Sequence, residues 1–219
     1  MIDPASTYTP SEIVYFHGDK FAPENGISRT EILLCDKKVN TGKLAETMLA
    51  AAILANESAG VIRLAPVSKK GFLGIGSKTV LGIQLVQPAA WPETSLEAEL
   101  YGIVYKQYAR QPVSVYDFVY HIWDMDKTNP WSEVVVLARW ALVRRKLLIS
   151  DEKRTLKIFV SYDFSIPDER RAEISQLSTG MVQQLLSSVS MVPDKWKMLT
   201  KEISSALHAR QEKSDTDFD

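Results

Sequence analysis

Leu44, Met48, Ala51, Ala52 and Ala55 recur at the spacing of one helical face, and Gly60 stands where such a helix would end. The alanines on that face let a neighbour approach closely, so the pattern predicts a central helix. The periodicity then changes. Val61 to Val67 and Thr79 to Val86 are rich in β-branched and aliphatic residues and read as the two strands of a hairpin. Other helices follow from capping signals. Thr94-Ser95-Leu96-Glu97 has capping-box spacing ahead of Leu100, Ile103 and Val104. Ser114 precedes a short aromatic segment with Val115, Phe118, Val119 and Ile122, and Asn129-Pro130 pairs a cap with proline at the first helical position, opening a helix from Trp131 to Lys146.

Other expectations rest on weaker patterns. Ser28-Arg29-Thr30-Glu31 also has capping-box spacing and predicts a short helix through Ile32, Leu33 and Leu34. Leu147 to Ile149 and Leu156 to Tyr162 read as short strands, with Asp151-Glu152-Lys153-Arg154 as the turn. Pro167-Asp168-Glu169 starts a helix running through Leu177, Met181 and Leu185, and a last amphipathic helix follows Pro193 to about Ala209. Residues 1–27 read as an N-terminal extension, residues 28–209 as one helical domain with its hairpin at 61–86, and residues 210–219 as a disordered tail. The fold class is mainly α, a compact helical domain with two small β-hairpins. Helix-then-hairpin occurs twice, at 44–59 and at 131–146, which is the outline of two fused winged-helix-like units.

The link between the first two strands changes the functional picture. In Ser68-Lys69-Lys70-Gly71-Phe72-Leu73-Gly74-Ile75-Gly76-Ser77-Lys78, three apolar side chains lie among glycines and between lysines. Such a tip covers part of the core, packs on another protein, or enters a membrane, and the sequence leaves all three open. Gly71 and Gly76 have the spacing of a phosphate-binding loop, but Ser77 stands where its lysine belongs, and the following Thr79 to Val86 is strand rather than helix.

Composition narrows the classes. The 26 basic and 27 acidic residues leave a net charge of -1, so no global field favours nucleic acid, and no nucleic-acid partner is expected. Arg139, Arg144, Arg145 and Lys146 suit the C-terminal end of a helix dipole. Val134 to Ala138 and Trp140 to Val143 leave that helix almost no polar face with which to read bases. Cys35 is the only cysteine, and with Leu33-Leu34 before it a buried thiol is expected. No apolar run reaches the roughly 18 residues of a spanning helix. The acidic N-terminus is unlike a secretory leader, so a cytoplasmic location is expected, with any membrane contact peripheral. His17, His121 and His208 are scattered, and His121 with Asp124 and Asp126 suits an ordinary helix end. No catalytic constellation, metal set or cofactor is expected, and the five tryptophans read as core or interface anchors.

Taken in order, these segments resemble the Golgi phosphoprotein 3 family, called Vps seventy-four in yeast, in the form of its bacterial members. The resemblance lies in Leu44 to Ala50 running into Gly60-Val61-Ile62-Arg63-Leu64, and in the basic, apolar stretch Lys69 to Lys78. It continues in Val115-Tyr116-Asp117-Phe118 through Asn129-Pro130, in Leu137-Ala138-Arg139 through Lys153, and in Phe159 to Pro167. It implies a mainly helical fold, peripheral membrane binding, self-association through the hairpin and, in eukaryotic members, phosphoinositide recognition and retention of client enzymes. The pocket that reads the phosphoinositide is not carried over. No Trp precedes Trp91, Ala45 stands where the first pocket arginine is expected, and Ser132 and Val135 stand at the later pair. The resemblance therefore implies an adaptor that binds anionic lipid, with Lys69, Lys70, Phe72, Leu73, Ile75 and Lys78 as the lipid-binding residues, a homo-oligomeric state and an unknown client protein. The alternative is an oligomeric protein–protein module whose hairpin packs on a partner without lipid.

Overall fold

The computed structural model describes residues 7–70, 77–88, 90–108, 112–123, 125, 127–155 and 159–216. Its first half contains α1 (Pro10–Phe16), β1 (Arg29–Ile32), β2 (Lys37–Asn40), α2 (Thr41–Ser58), β3 (Ile62–Lys70), β4 (Ser77–Leu85) and α3 (Leu96–Tyr108). The second half contains β5 (Val113–Ser114), α4 (Val115–Tyr120), α5 (Pro130–Arg144), β6 (Ile149–Thr155), β7 (Phe159–Ser165), α6 (Asp168–Ser175), α7 (Gly180–Ser190) and α8 (Pro193–Thr216). The protein is mainly helical, and its described residues form three small antiparallel sheets ordered β1-β2, β3-β4-β5 and β6-β7.

α2 is the axis. Asn40 caps it by accepting from the Lys43 N–H at 2.9 Å, and Leu44, Ala45, Met48, Leu49, Ala51, Ala52, Ile53 and Ala55 are fully buried. With so many alanines the helix presents little bulk, and α1, α3, α5, α7 and α8 all pack against it. α2 and α5 leave by the same device. Gly60 (φ 73°) and Lys146 (φ 58°) are left-handed, and each helix closes with a pair of Schellman bonds. In the first, the Val61 N–H reaches the Asn56 carbonyl at 2.9 Å and the Gly60 N–H reaches that of Glu57 at 2.9 Å. In the second, Leu147 reaches Leu142 and Lys146 reaches Val143, also at 2.9 Å. The helix-then-hairpin echo thus extends to the hydrogen bonds of the exits.

Five expectations change. The segment read as an extension carries α1, every residue of which is buried, and Thr9-Pro10-Ser11-Glu12 is its capping signal: the Thr9 N–H donates to Glu12 Oε2 at 3.0 Å. α5 holds this segment down, with Arg139 donating to the Tyr15 hydroxyl at 2.9 Å and Arg145 donating to Glu12 and, at 3.1 Å, to the Thr7 carbonyl. Ser28 to Glu31 does not start a helix; Arg29–Ile32 pairs with Lys37–Asn40 as a hairpin, which leaves Cys35 exposed at its turn rather than buried. Asp151 to Arg154 are strand residues of β6, because the ladder continues from Ile149↔Ser165 to Thr155↔Phe159. The helix expected from Pro167 through Leu185 divides into α6 and α7, with no helix over Leu177 to Thr179. Lastly, helix α8 continues past Ala209 to Thr216, and Arg210, placed by the sequence in a loose tail, is buried.

Candidate functional site

β3 and β4 form a nine-rung antiparallel ladder from Ile62↔Leu85 to Lys70↔Ser77. Its inner half belongs to the core: Ile62, Leu64, Leu81 and Ile83 are buried, and β5 adds a third strand at Gly82↔Ser114 and Ile83↔Val113. Gly82 is required there, because a Cβ would stand 2.7 Å from a methyl of Val67 across the ladder. The outer half leaves the core, and Ser68, Lys69, Ser77, Lys78 and Thr79 are exposed. The described ladder ends at Lys70↔Ser77. Phe72, Leu73 and Ile75 lie outside the described residues, as does the side chain of Lys70.

Register and alternation place Lys69 and Lys78 directly opposite one another and on the same face as Val80. Lys69 Nζ reaches Asp117 Oδ2 at 2.6 Å. Asp117 is the third residue of α4, and its Oδ2 also accepts from the Ser114 hydroxyl at 2.6 Å while its N–H donates to Ser114 Oγ at 3.1 Å. The cap expected at Ser114 is thus present and linked to the hairpin. Below the lysine pair, Val80, Ser114, Tyr116, Lys201, Glu202 and Ser205 complete a cavity of about 260 Å³.

The hairpin root is fixed by α8. Glu202, buried, accepts from the Leu81 N–H at 2.8 Å and from the Tyr116 N–H at 3.1 Å. The first is a β4 donor beyond the reach of the short β5, and the second is an orphan donor of the first turn of α4. Two turns further along α8, the buried Arg210 donates to the Tyr120 carbonyl at 2.7 Å and to that of Trp123, with its guanidinium 3.9 Å from the centre of the Tyr120 ring. An acid at the positive end of α4 and a base at its negative end both come from one helix, so α8 holds α4 like a clamp. Sequence reasoning missed both residues, since nothing local marks an Arg as a ligand for carbonyls some ninety residues earlier.

A second cavity, of about 410 Å³, lies between β1, α5 and β7. Ser132 and Val135, where the family resemblance places an arginine pair, line it together with Ser28, Thr30, Thr41 and Asp163. Its cations are instead Arg29 and Arg139. Arg29 Nε donates to the Gly26 carbonyl at 3.0 Å, and Arg139 is shared between the Tyr15 hydroxyl and the face of Phe164, 5.1 Å away. Ala45, at the remaining pocket position, is fully buried in the core.

Other candidates resolve into structural roles. His121 is the C-cap of α4, its N–H donating to the Asp117 carbonyl at 3.1 Å; Asp124 and Asp126 lie outside the described residues. His17 follows α1 and is buried, which pushes its pKa below the ordinary value. His208 stacks edge-on against Trp131 at 4.8 Å. Trp91 donates to Asn56 at 2.8 Å, and Trp140 packs on Tyr162 and Phe164. Among the described residues no group of three His, Cys, Asp or Glu side chains is arranged to hold a metal ion, and no helix is long and apolar enough to cross a membrane. No family model, curated protein or solved structure matches the chain.

Proposed function

We propose that this protein is a peripheral membrane adaptor that binds anionic lipid through the β3–β4 hairpin, works as a homo-oligomer on the cytoplasmic face and presents a client protein there. The observation that carries the reading is the outer half of the ladder. It leaves the core with a cationic cross-strand pair, Lys69 and Lys78, and leads directly into the stretch containing Phe72, Leu73 and Ile75. Like charges directly opposite on a sheet repel, so a protein that keeps such a pair at an exposed end has a use for an anionic surface.

Magnitudes set the mode of binding. Each lysine near an anionic leaflet contributes about 1 kcal/mol, and each apolar side chain roughly 1.5–3 kcal/mol if fully buried. Ordering and desolvation offset several of those. One copy therefore binds weakly and reversibly, and an oligomer binds far better through effective concentration. Co-sedimentation with neutral vesicles and with vesicles about one-third anionic tests this, using wild type and Phe72→Asp/Leu73→Asp with oligomeric state measured on the same samples. Selective pelleting with anionic vesicles, weakened near 0.5 M salt and lost in the variant while its assembly persists, is the expected result. Assembly lost with lipid binding unchanged, or no pelleting of either protein, would refute the membrane role and leave the hairpin as a protein–protein contact.

A further inference from the structure

We infer that the cavity between Lys69 and Lys78 on the outer part of the ladder and Lys201 and Ser205 on α8 is a binding site for a monoanionic phosphodiester. This inference rests on the membrane reading above, and assigns that hairpin a headgroup site separate from its tip. The two strands of the hairpin and α8, distant in sequence, contribute three lysines to the lining of one small cavity. Lys69 has Asp117 as a partner, whereas among the described residues Lys78 and Lys201 form no ion pair. The two nearby carboxylates are already committed: Asp117 to Lys69 and Ser114, and Glu202 to the Leu81 and Tyr116 amides. Three cations against two carboxylates leave one positive charge, which matches the single charge of a phosphodiester better than the dianion of a phosphomonoester.

The rest of the lining fits the same class. Val80, which is buried, and Tyr116 give the lining an apolar part suited to the glycerol and ester region that adjoins a lipid phosphate, and Ser205 adds a hydroxyl-bearing residue to it. A volume of about 260 Å³ suits a headgroup rather than a whole lipid. Lys69↔Lys78 stands one rung, about 3.4 Å, from the last described rung, at the exposed end of the ladder.

The test compares Lys78→Gln/Lys201→Gln with Lys20→Gln/Lys38→Gln, which removes the same two charges from exposed positions outside the cavity. Neither double variant touches the tip. Each protein is titrated with glycerophosphoglycerol, a soluble phosphodiester, while amide chemical shifts are followed, and separately with phosphatidylcholine vesicles containing phosphatidylglycerol. Saturable shifts at Val80, Ser114 and Ser205 in wild type and in the control, absent from the cavity variant, are expected. Vesicle affinity should fall about tenfold further in the cavity variant than in the control. Absence of shifts in wild type, or equal vesicle losses in the two variants, overturns the site even if the protein binds membranes. Shifts in a wild type that binds no vesicle would refute the membrane reading alone, and make the ligand a soluble phosphodiester.

Discussion

Replacing Glu202 with Ala removes the acceptor of two backbone donors, the buried Leu81 N–H at 2.8 Å and the part-buried Tyr116 N–H at 3.1 Å. A buried donor left without a partner costs about 1–3 kcal/mol. Two of them set a range of about 2–6 kcal/mol, and the adjoining cavity admits water that partly replaces the lost acceptor, so the expected loss is about 3 kcal/mol. Glu202→Gln keeps one oxygen and turns an amide nitrogen toward the other donor, so it should lose nearly as much as Ala despite being isosteric. Urea unfolding followed by circular dichroism gives the midpoint, with an unchanged slope showing that the same surface unfolds. Arg210→Met, which removes the guanidinium from the Tyr120 and Trp123 carbonyls and from the Tyr120 ring, acts at the other end of α4. If α8 holds α4 as a unit, releasing either end weakens the other, and the double variant should lose less than the sum of the singles by at least about 0.5 kcal/mol. A loss below about 1 kcal/mol for Glu202→Ala, or strict additivity with Arg210→Met, would refute the clamp.

Three further outcomes follow from the packing. Lys146→Gly relieves a left-handed lysine (φ 58°) at the exit of α5 and should stabilise the fold by about 0.5–1 kcal/mol in the same urea experiment, the gain being limited by the extra freedom of glycine in the unfolded chain. Gly82→Ala places a methyl 2.7 Å from Val67, whose β-branch cannot swing away, and should cost about 1–3 kcal/mol and lower the thermal midpoint. Burial, reinforced by the Glu97 carboxylate and opposed by Arg145, pushes the Glu12 carboxyl from its ordinary 4.5 up to about 7. The folded state then holds a proton that the unfolded chain releases, so this stabilisation is present below about pH 4.5 and is lost as pH rises through about 7. Against Glu12→Gln as reference, wild type should lose about 3 kcal/mol over that window, and parallel pH profiles of the two proteins would contradict it.

The parts of the fold that were legible in the sequence are those whose signals are local. The α2 face, the β3 and β4 runs and the caps at Ser114 and Asn129 each lie within a few residues of what they specify. The same signal misled at Ser28. Both Thr9-Pro10-Ser11-Glu12 and Ser28-Arg29-Thr30-Glu31 have capping-box spacing, but only the first has proline at the next position. Arg145 and Arg139 were legible as helix-end cations, yet their partners are Glu12 and Tyr15, more than 120 residues away. The candidate site divides in the same way. Lys69 and Lys78 can be set opposite each other from the hairpin alone, whereas Lys201 and Ser205 reach the cavity only because α8 crosses the root.

The two helix–hairpin units argue for where function sits on this chain. They share a helix, a Schellman exit through a left-handed residue and an antiparallel hairpin, so local structure does not separate them. Charge does. On β6–β7, Lys153 pairs with Asp163 across the ladder and Arg154 with Glu152 along the strand, so the described cations there are matched within their own ribbon. On β3–β4 the cross-strand partners Lys69 and Lys78 are both cations, and the acid that answers Lys69 belongs to α4. The support differs too: β6–β7 is a two-stranded sheet packed on Trp140 of α5, while β3–β4 gains β5 as a third strand and the Glu202 contact. Like charges opposed across a ladder weaken it, although lysines at an exposed end also discourage pairing with other chains. A hairpin that meets an anionic surface needs both the charge and a firm base, because force applied at the tip is borne at the root. Among the described residues, the opposed lysines and the contact from α8 are what separate the first unit from the second.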